Sequence, residues 1–332
     1  MLERKAYLFA LDFDGTAADT FQPSPNGIGV KEAYAHAIHD IFGDKGREVY
    51  ESIGRLQNRA PCELVDVMIK KEPSLSDPAF TFFEKNRERL NSMMPLGKGV
   101  ALNAESVNQN TIAELLVRQK LSYLLDQIGT SFPDGSRWPK PCNGFTEFWD
   151  QLQILNNDLK GELTTAIISS GHGEFIRKTF DLWGLNPPDI LISEDDIRGR
   201  KFPIEMERRV KPGEFSMALA HREYLHREKL WPPDNPDAVI ESRNRMIYFG
   251  DDPVKDGKLA EGANILFGWF NPNHKSGATP EGITFDNWQT VADLLSQHKG
   301  LMKEGRTFRE ILSQSTTGIE GFGLKDKERK QT

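Results

Sequence analysis

The chain has 332 residues, 38% of them hydrophobic and 27% charged, with 49 acidic against 42 basic side chains and a net charge of −7. This balance argues against a general binder of nucleic acid or anionic membranes, and twenty phenylalanines argue against disorder throughout. Two cysteines, Cys62 and Cys142, are too few for a disulfide framework and point to a reducing, cytoplasmic setting.

In chain order, residues 7–11 form a short apolar run that ends in acids and a glycine, the pattern of a buried strand with a polar exit. This run is too short for a signal-peptide core, and no stretch reaches the length of a membrane span. TFQPSPNGIG (20–29) is turn chemistry. Residues 31–42, 61–71, 77–91 and 110–128 then read as helices, the last with Ile112, Leu115, Leu116, Gln119 and Tyr123 near helical spacing. A Pro/Gly-rich linker spans 129–143.

Beyond it, helices are expected at 145–155, 174–183, 215–230, 254–261 and 287–298. They alternate with short strands at 165–168, 189–192, 246–249 and 265–269. Such alternation predicts an α/β fold, a Rossmann-like parallel sheet with helices on both faces. The helical block after the first strand reads as an inserted all-α cap. The expected division is a core of 1–19 and 143–300, a cap with linkers at 20–142, and a partly mobile C-terminal extension at 301–332.

Ligands of open α/β sheets bind beyond the carboxyl ends of the strands. The residues there are Asp12-Phe13-Asp14-Gly15-Thr16, Ser169-Ser170-Gly171, Lys211, and Gly250-Asp251-Asp252 with Asp256 one turn on. His36 and His39, or His221 and His226, find nothing nearby to complete a zinc site.

In order, DFDGT, IISSG, VKPGE and GDDPVKD resemble the four motifs of the haloacid dehalogenase superfamily. The resemblance covers roughly residues 6–20 and 143–270, and implies a phosphohydrolase acting on a small phosphorylated metabolite. Asp12 would be the nucleophile and Asp14 the acid and base. Ser169 and Lys211 would bind the phosphoryl group, with Ser170 and the Gly171 backbone adding donors. Mg²⁺ would be held by Asp12, the Asp14 carbonyl and Asp251, supported by Asp252 or Asp256. Arg55 and Arg59 lie where the family's cap faces the site and would suit a second anionic group. A phosphomutase or phosphotransferase, and a non-catalytic phosphate-binding module, remain as alternatives. The oligomeric state is left open.

Overall fold

The computed structural model describes residues 6–54, 61–92, 109–198, 209–229, 236–279 and 282–315. Among them, seven strands form one sheet in the order β5-β4-β1-β6-β7-β9-β8. The strands are β1 (Tyr7–Leu11), β4 (Leu163–Ile168), β5 (Ile190–Ile192), β6 (Met246–Gly250), β7 (Leu266–Phe270), β8 (Gly277–Thr279) and β9 (Gly282–Phe285). Every pairing is parallel except β8 with β9. β1 lies inside the sheet, flanked by β4 and β6, so its carboxyl end is surrounded by those of its neighbours.

Side chains alternate along a strand, and both faces of this sheet are covered. Tyr7, Phe9 and Leu11 join one buried cluster and Leu8 and Ala10 the other. The first cluster is aromatic. α5 (Phe145–Asp158) and a late helix, α11 (Trp288–Gln297), contribute Phe148 and Trp288, whose rings stack 4.4 Å apart. Trp288 also donates its indole N–H to the carbonyl of Thr16 at 2.8 Å. Each buried large apolar side chain adds about 1.5–3 kcal/mol, and Trp288 couples that packing to the loop after β1. The opposite face is covered by α8 (Phe215–Arg227) and α10 (Lys255–Gly262).

The helical insert follows β1. It comprises α1 (Val30–Ser52), kinked at Gly43, α2 (Pro61–Lys71), α3 (Ser76–Ser92) and α4 (Gln109–Gln127). Its own apolar cluster runs from Ala37 to Leu116. The two strands of chain that connect it to the sheet pair with each other, β2 (Ala18–Asp19) against β3 (Lys140–Pro141).

Three departures from the sequence reading have physical causes. α1 continues through DKGREVYES, where few apolar residues mark the periodicity, because Gly46 and Val49 find buried places. Leu121 and Leu124, at the end of α4, belong to the aromatic cluster, so this helix packs on both bodies. Residues 301–315 are no appendage: α13 (Phe308–Ser315) buries Phe308, Ile311 and Leu312 against the sheet. Their spacing was hidden in a polar sequence. No helix among the described residues is long and apolar enough to cross a membrane.

Candidate active site

Two strand ends, one helix and one loop bring acids and a lysine together. Asp12 follows β1, and its N–H continues the ladder to Phe249 at 2.8 Å. Asp251 follows β6, and Asp256 lies on the first turn of α10. One carboxylate oxygen from each of Asp12, Asp251 and Asp256 falls within 4.8 Å of the other two. Lys211 reaches them from the loop before α8: its Nζ lies 2.6 Å from Asp12 Oδ1 and 2.9 Å from Asp256 Oδ1. The Lys211 side chain is 5% exposed and that of Asp12 13%.

Close approach of backbone to carboxylate shapes the cluster. At Gly250 any side chain would collide with the carboxyl group of Asp256. Gly15 takes φ +76°, which disfavours other residues, and a Cβ there would lie 2.7 Å from Asp251 Oδ2. The spacing from Asp251 favours Asp256 as the supporting acid, and the adjacent Asp252 leaves the choice unsettled in the sequence. The structure separates them, because Asp252 Oδ1 accepts the N–H groups of Val254 and Lys255 and caps α10. It stands outside the three-carboxylate group.

Asp256 is fully engaged. Its Oδ1 accepts from Lys211 and from the Tyr248 hydroxyl at 3.1 Å, and its Oδ2 accepts from the N–H of Asp252 at 3.3 Å. Asp251 has the Thr16 hydroxyl on Oδ1 at 3.2 Å, and its carbonyl accepts the Trp269 indole N–H at 3.1 Å. Burial, then the nearby Asp256 charge, pushes Asp251 up to about 6. Burial also raises Asp12 well above the carboxylate range. Burial works against the Lys211 charge, but Asp12 and Asp256 outweigh it and hold this ammonium protonated. Three acids, Asp256 buried and Asp12 and Asp251 half-buried, face one cation, so excess negative charge and hard oxygen donors fit a divalent metal such as Mg²⁺. Asp12 and Asp251 have oxygens to offer it, whereas Asp256 orients Lys211.

The other half of the site follows β4. The Ser169 N–H bonds to Ile192, and its hydroxyl oxygen accepts the Gly171 N–H at 2.9 Å, so its own hydrogen is free to donate. Gly171 passes between Ser169 and Asp14: a Cβ there would sit 3.0 Å from Asp14 Oδ2 and 3.1 Å from Ser169 Oγ. Ser170 is exposed. The loop is braced from below. The Glu194 N–H bonds to the Gly171 carbonyl, and Asp195 takes His172 Nδ1 at 3.2 Å and the Gly173 N–H at 3.0 Å. Asp14 leans the other way, accepting the Thr20 hydroxyl on Oδ1 at 2.7 Å.

Asp12, Asp14, Ser169, Gly171, Lys211, Asp251 and Asp256 are thus gathered at the carboxyl end of the sheet's inner strands. Arg55 and Arg59 lie outside the described residues. Sequence reasoning missed Thr16, Thr20, Tyr248 and Trp269. Only the DFDGT motif's own threonine carried a signal; the others are single polar groups on otherwise apolar or turn segments.

No family model matches the chain, and no curated protein matches it. Solved structures do. A 2-haloacid dehalogenase from Pseudomonas syringae pv. Tomato DC3000 is 15% identical, covering 88% of this chain and 99% of that one, with a TM-score of 0.41. A HAD-superfamily hydrolase, subfamily IA, variant 1, from Geobacter sulfurreducens PCA is 13% identical, covering 88% and 97%, at 0.42. A HAD phosphatase from Thermococcus onnurineus is 13% identical, covering 87% and 97%, at 0.39. All are hydrolases of the haloacid dehalogenase superfamily, the family that the four motifs resemble.

Proposed function

We propose that the protein is a Mg²⁺-dependent phosphohydrolase that removes phosphate from a small phosphorylated metabolite. The observation that carries the reading is the division of labour between Asp12 and Asp14. Lys211 holds Oδ1 of Asp12, which aims the other oxygen at an incoming phosphorus atom. Asp14, two residues on, is held by Thr20 and lies close beside Gly171. It is placed to protonate the departing oxygen and then to take a proton from the water that opens the aspartyl-phosphate. A dehalogenase would have no such use for a second acid.

The Ser169 hydroxyl and the Lys211 ammonium supply donors for the phosphoryl oxygens. When bound to Asp12, the Asp14 carbonyl and Asp251, Mg²⁺ supplies charge neutralisation for the transferring group. The helical insert, connected through the β2–β3 pair, would limit bulk water over Asp12. A cytoplasmic location is part of the same reading, supported by the low cysteine content.

The test is phosphate release from a panel of phosphomonoesters, with and without Mg²⁺. Asp12→Asn should reduce turnover by roughly 10⁴-fold or more while leaving the fold intact. Release that survives the substitution would reject Asp12 as the nucleophile. Chloride release from 2-haloacids would instead establish the dehalogenase.

A further inference from the structure

An aromatic rim borders the acid cluster, and the phosphohydrolase reading does not use it. Phe21 is 59% exposed, although it sits one residue beyond Thr20, the residue that holds Asp14. Its ring edge reaches back over Gly15: a Cβ there would meet Phe21 Cε2 at 2.5 Å and Asp251 Oδ2 at 2.7 Å. The ring and the carboxylate are therefore neighbours. Trp269 also meets Asp251, fixed by its indole hydrogen bond to the Asp251 carbonyl. The exposed ring of His274 lies 4.9 Å from that of Trp269, tilted by 44°.

Leaving a phenylalanine ring in water is unfavourable, and here the ring stands beside the groups that would perform the chemistry. The departing oxygen must come within hydrogen-bond reach of Asp14. Asp14 is bonded to Thr20, so the group on that oxygen leaves over residues 20 and 21. A flat face there favours a flat partner. Stacked aromatic pairs gain beyond their buried area, whereas an alkyl chain gains area alone.

We infer that the substrate is an aryl or arylmethyl phosphomonoester whose ring stacks on Phe21 at the mouth of the site, with Trp269 bordering the same mouth. This rests on the phosphohydrolase reading and narrows it to a substrate class. Phe21 is a specificity residue, and it acts on the leaving group, not on the phosphoryl group.

The experiment uses two phosphonates at a pH above both of their second ionisations, so that they carry the same dianionic head; neither is hydrolysed at a C–P bond by this chemistry. Phenylphosphonate and propylphosphonate are titrated calorimetrically into the Mg²⁺-loaded full chain. The expected result is roughly tenfold tighter binding of the phenyl compound. That ratio should fall at least threefold in Phe21→Ala and Phe21→Leu and persist in Phe21→Trp. The leucine variant keeps apolar bulk without a flat ring, and the exposed position makes misfolding a small concern.

Equal affinities in the wild type would overturn the inference. So would a ratio that Phe21→Ala leaves unchanged while it slows turnover of all substrates alike, because Phe21 would then serve closure of the insert. In both cases phosphate release that needs Asp12 would leave the phosphohydrolase reading standing. Failure to bind either phosphonate would also overturn the inference, and Asp12-dependent phosphate release would still decide the phosphohydrolase reading on its own.

Discussion

The two ends of the central sheet treat buried polar groups in opposite ways. At the amino end several of them meet a hydrogen-bond partner far along the chain. The Tyr7 hydroxyl lies 2.6 Å from the Arg306 carbonyl, Tyr224 donates to Ala6 at 2.7 Å, Arg245 Nε donates to Gly305 at 3.1 Å, and Thr164 donates to Glu228 at 3.0 Å. His221 shares a hydrogen bond with Ser242 just ahead of β6. At the carboxyl end, three carboxylates share one ammonium, and burial raises two of them. Both ends are covered by the same helices and built from the same strands. The difference teaches that this sheet can satisfy its polar groups, so the unbalanced charge at one end is a place where a ligand completes the structure.

The comparison can be broken from either side. The largest effect is expected at the carboxyl end. Lys211→Met removes the cation that serves both Asp12 and Asp256 and should lower phosphate turnover about 10²- to 10³-fold, measured with saturating Mg²⁺. Turnover within threefold of wild type would mean that Lys211 is only structural.

Next comes the amino end in acid. Burial, then the Arg243 charge, lowers His221 from 6.5 to about 4. The unfolded chain therefore binds the extra proton first, and stability should fall as pH drops from about 6.5 to about 4. The loss is on the order of 2–3 kcal/mol. Urea unfolding across that range, repeated with His221→Gln, should show a flatter profile in the variant.

Asp251 predicts the opposite slope. Its carboxyl rises from 3.8 to about 6 in the fold, so without metal its contribution is present below pH 4 and is lost as pH rises through 6. Asp251→Asn should stabilise the metal-free protein at pH 7 by about 1–2 kcal/mol. It should also abolish the thermal stabilisation that Mg²⁺ gives the wild type. An equal Mg²⁺ shift in wild type and variant would place the metal elsewhere.

The smallest change is Tyr224→Phe. It leaves the Ala6 carbonyl without its donor and should cost about 1 kcal/mol with no effect on turnover.

Much of the carboxyl end was legible in the sequence, because DFDGT and GDDPVKD follow apolar runs directly and a strand end fixes where such residues go. Asp256 was favoured over Asp252 there by spacing but not settled. The helix that one caps and the other joins begins only at Lys255, a boundary finer than periodicity resolves. Tyr248 was hidden as one more apolar residue of β6, since a strand pattern does not reveal that its hydroxyl reaches Asp256. The amino end was almost wholly illegible. Tyr7 is answered by carbonyls nearly three hundred residues away, on a segment that reads as a polar tail. In the insert, Arg118 and Glu114 look like a solvated pair on α4 but are buried together, with Arg118 also donating to the Leu90 carbonyl. Tertiary packing decides such pairs, and local sequence does not encode it.

The short β2–β3 pair has a consequence for how the insert is tolerated. Ala18 opposes Pro141 and Asp19 opposes Lys140, so the excursion between them is a loop whose mouth is already shut. The entropy of closing a loop grows only logarithmically, about 0.6 kcal/mol for each doubling of its length. A clasped mouth therefore makes the core nearly indifferent to how much chain is threaded between its first strand and the rest. Lengthening or trimming the excursion far from the clasp should leave the sheet's melting temperature almost unmoved, whereas opening the clasp should register at once.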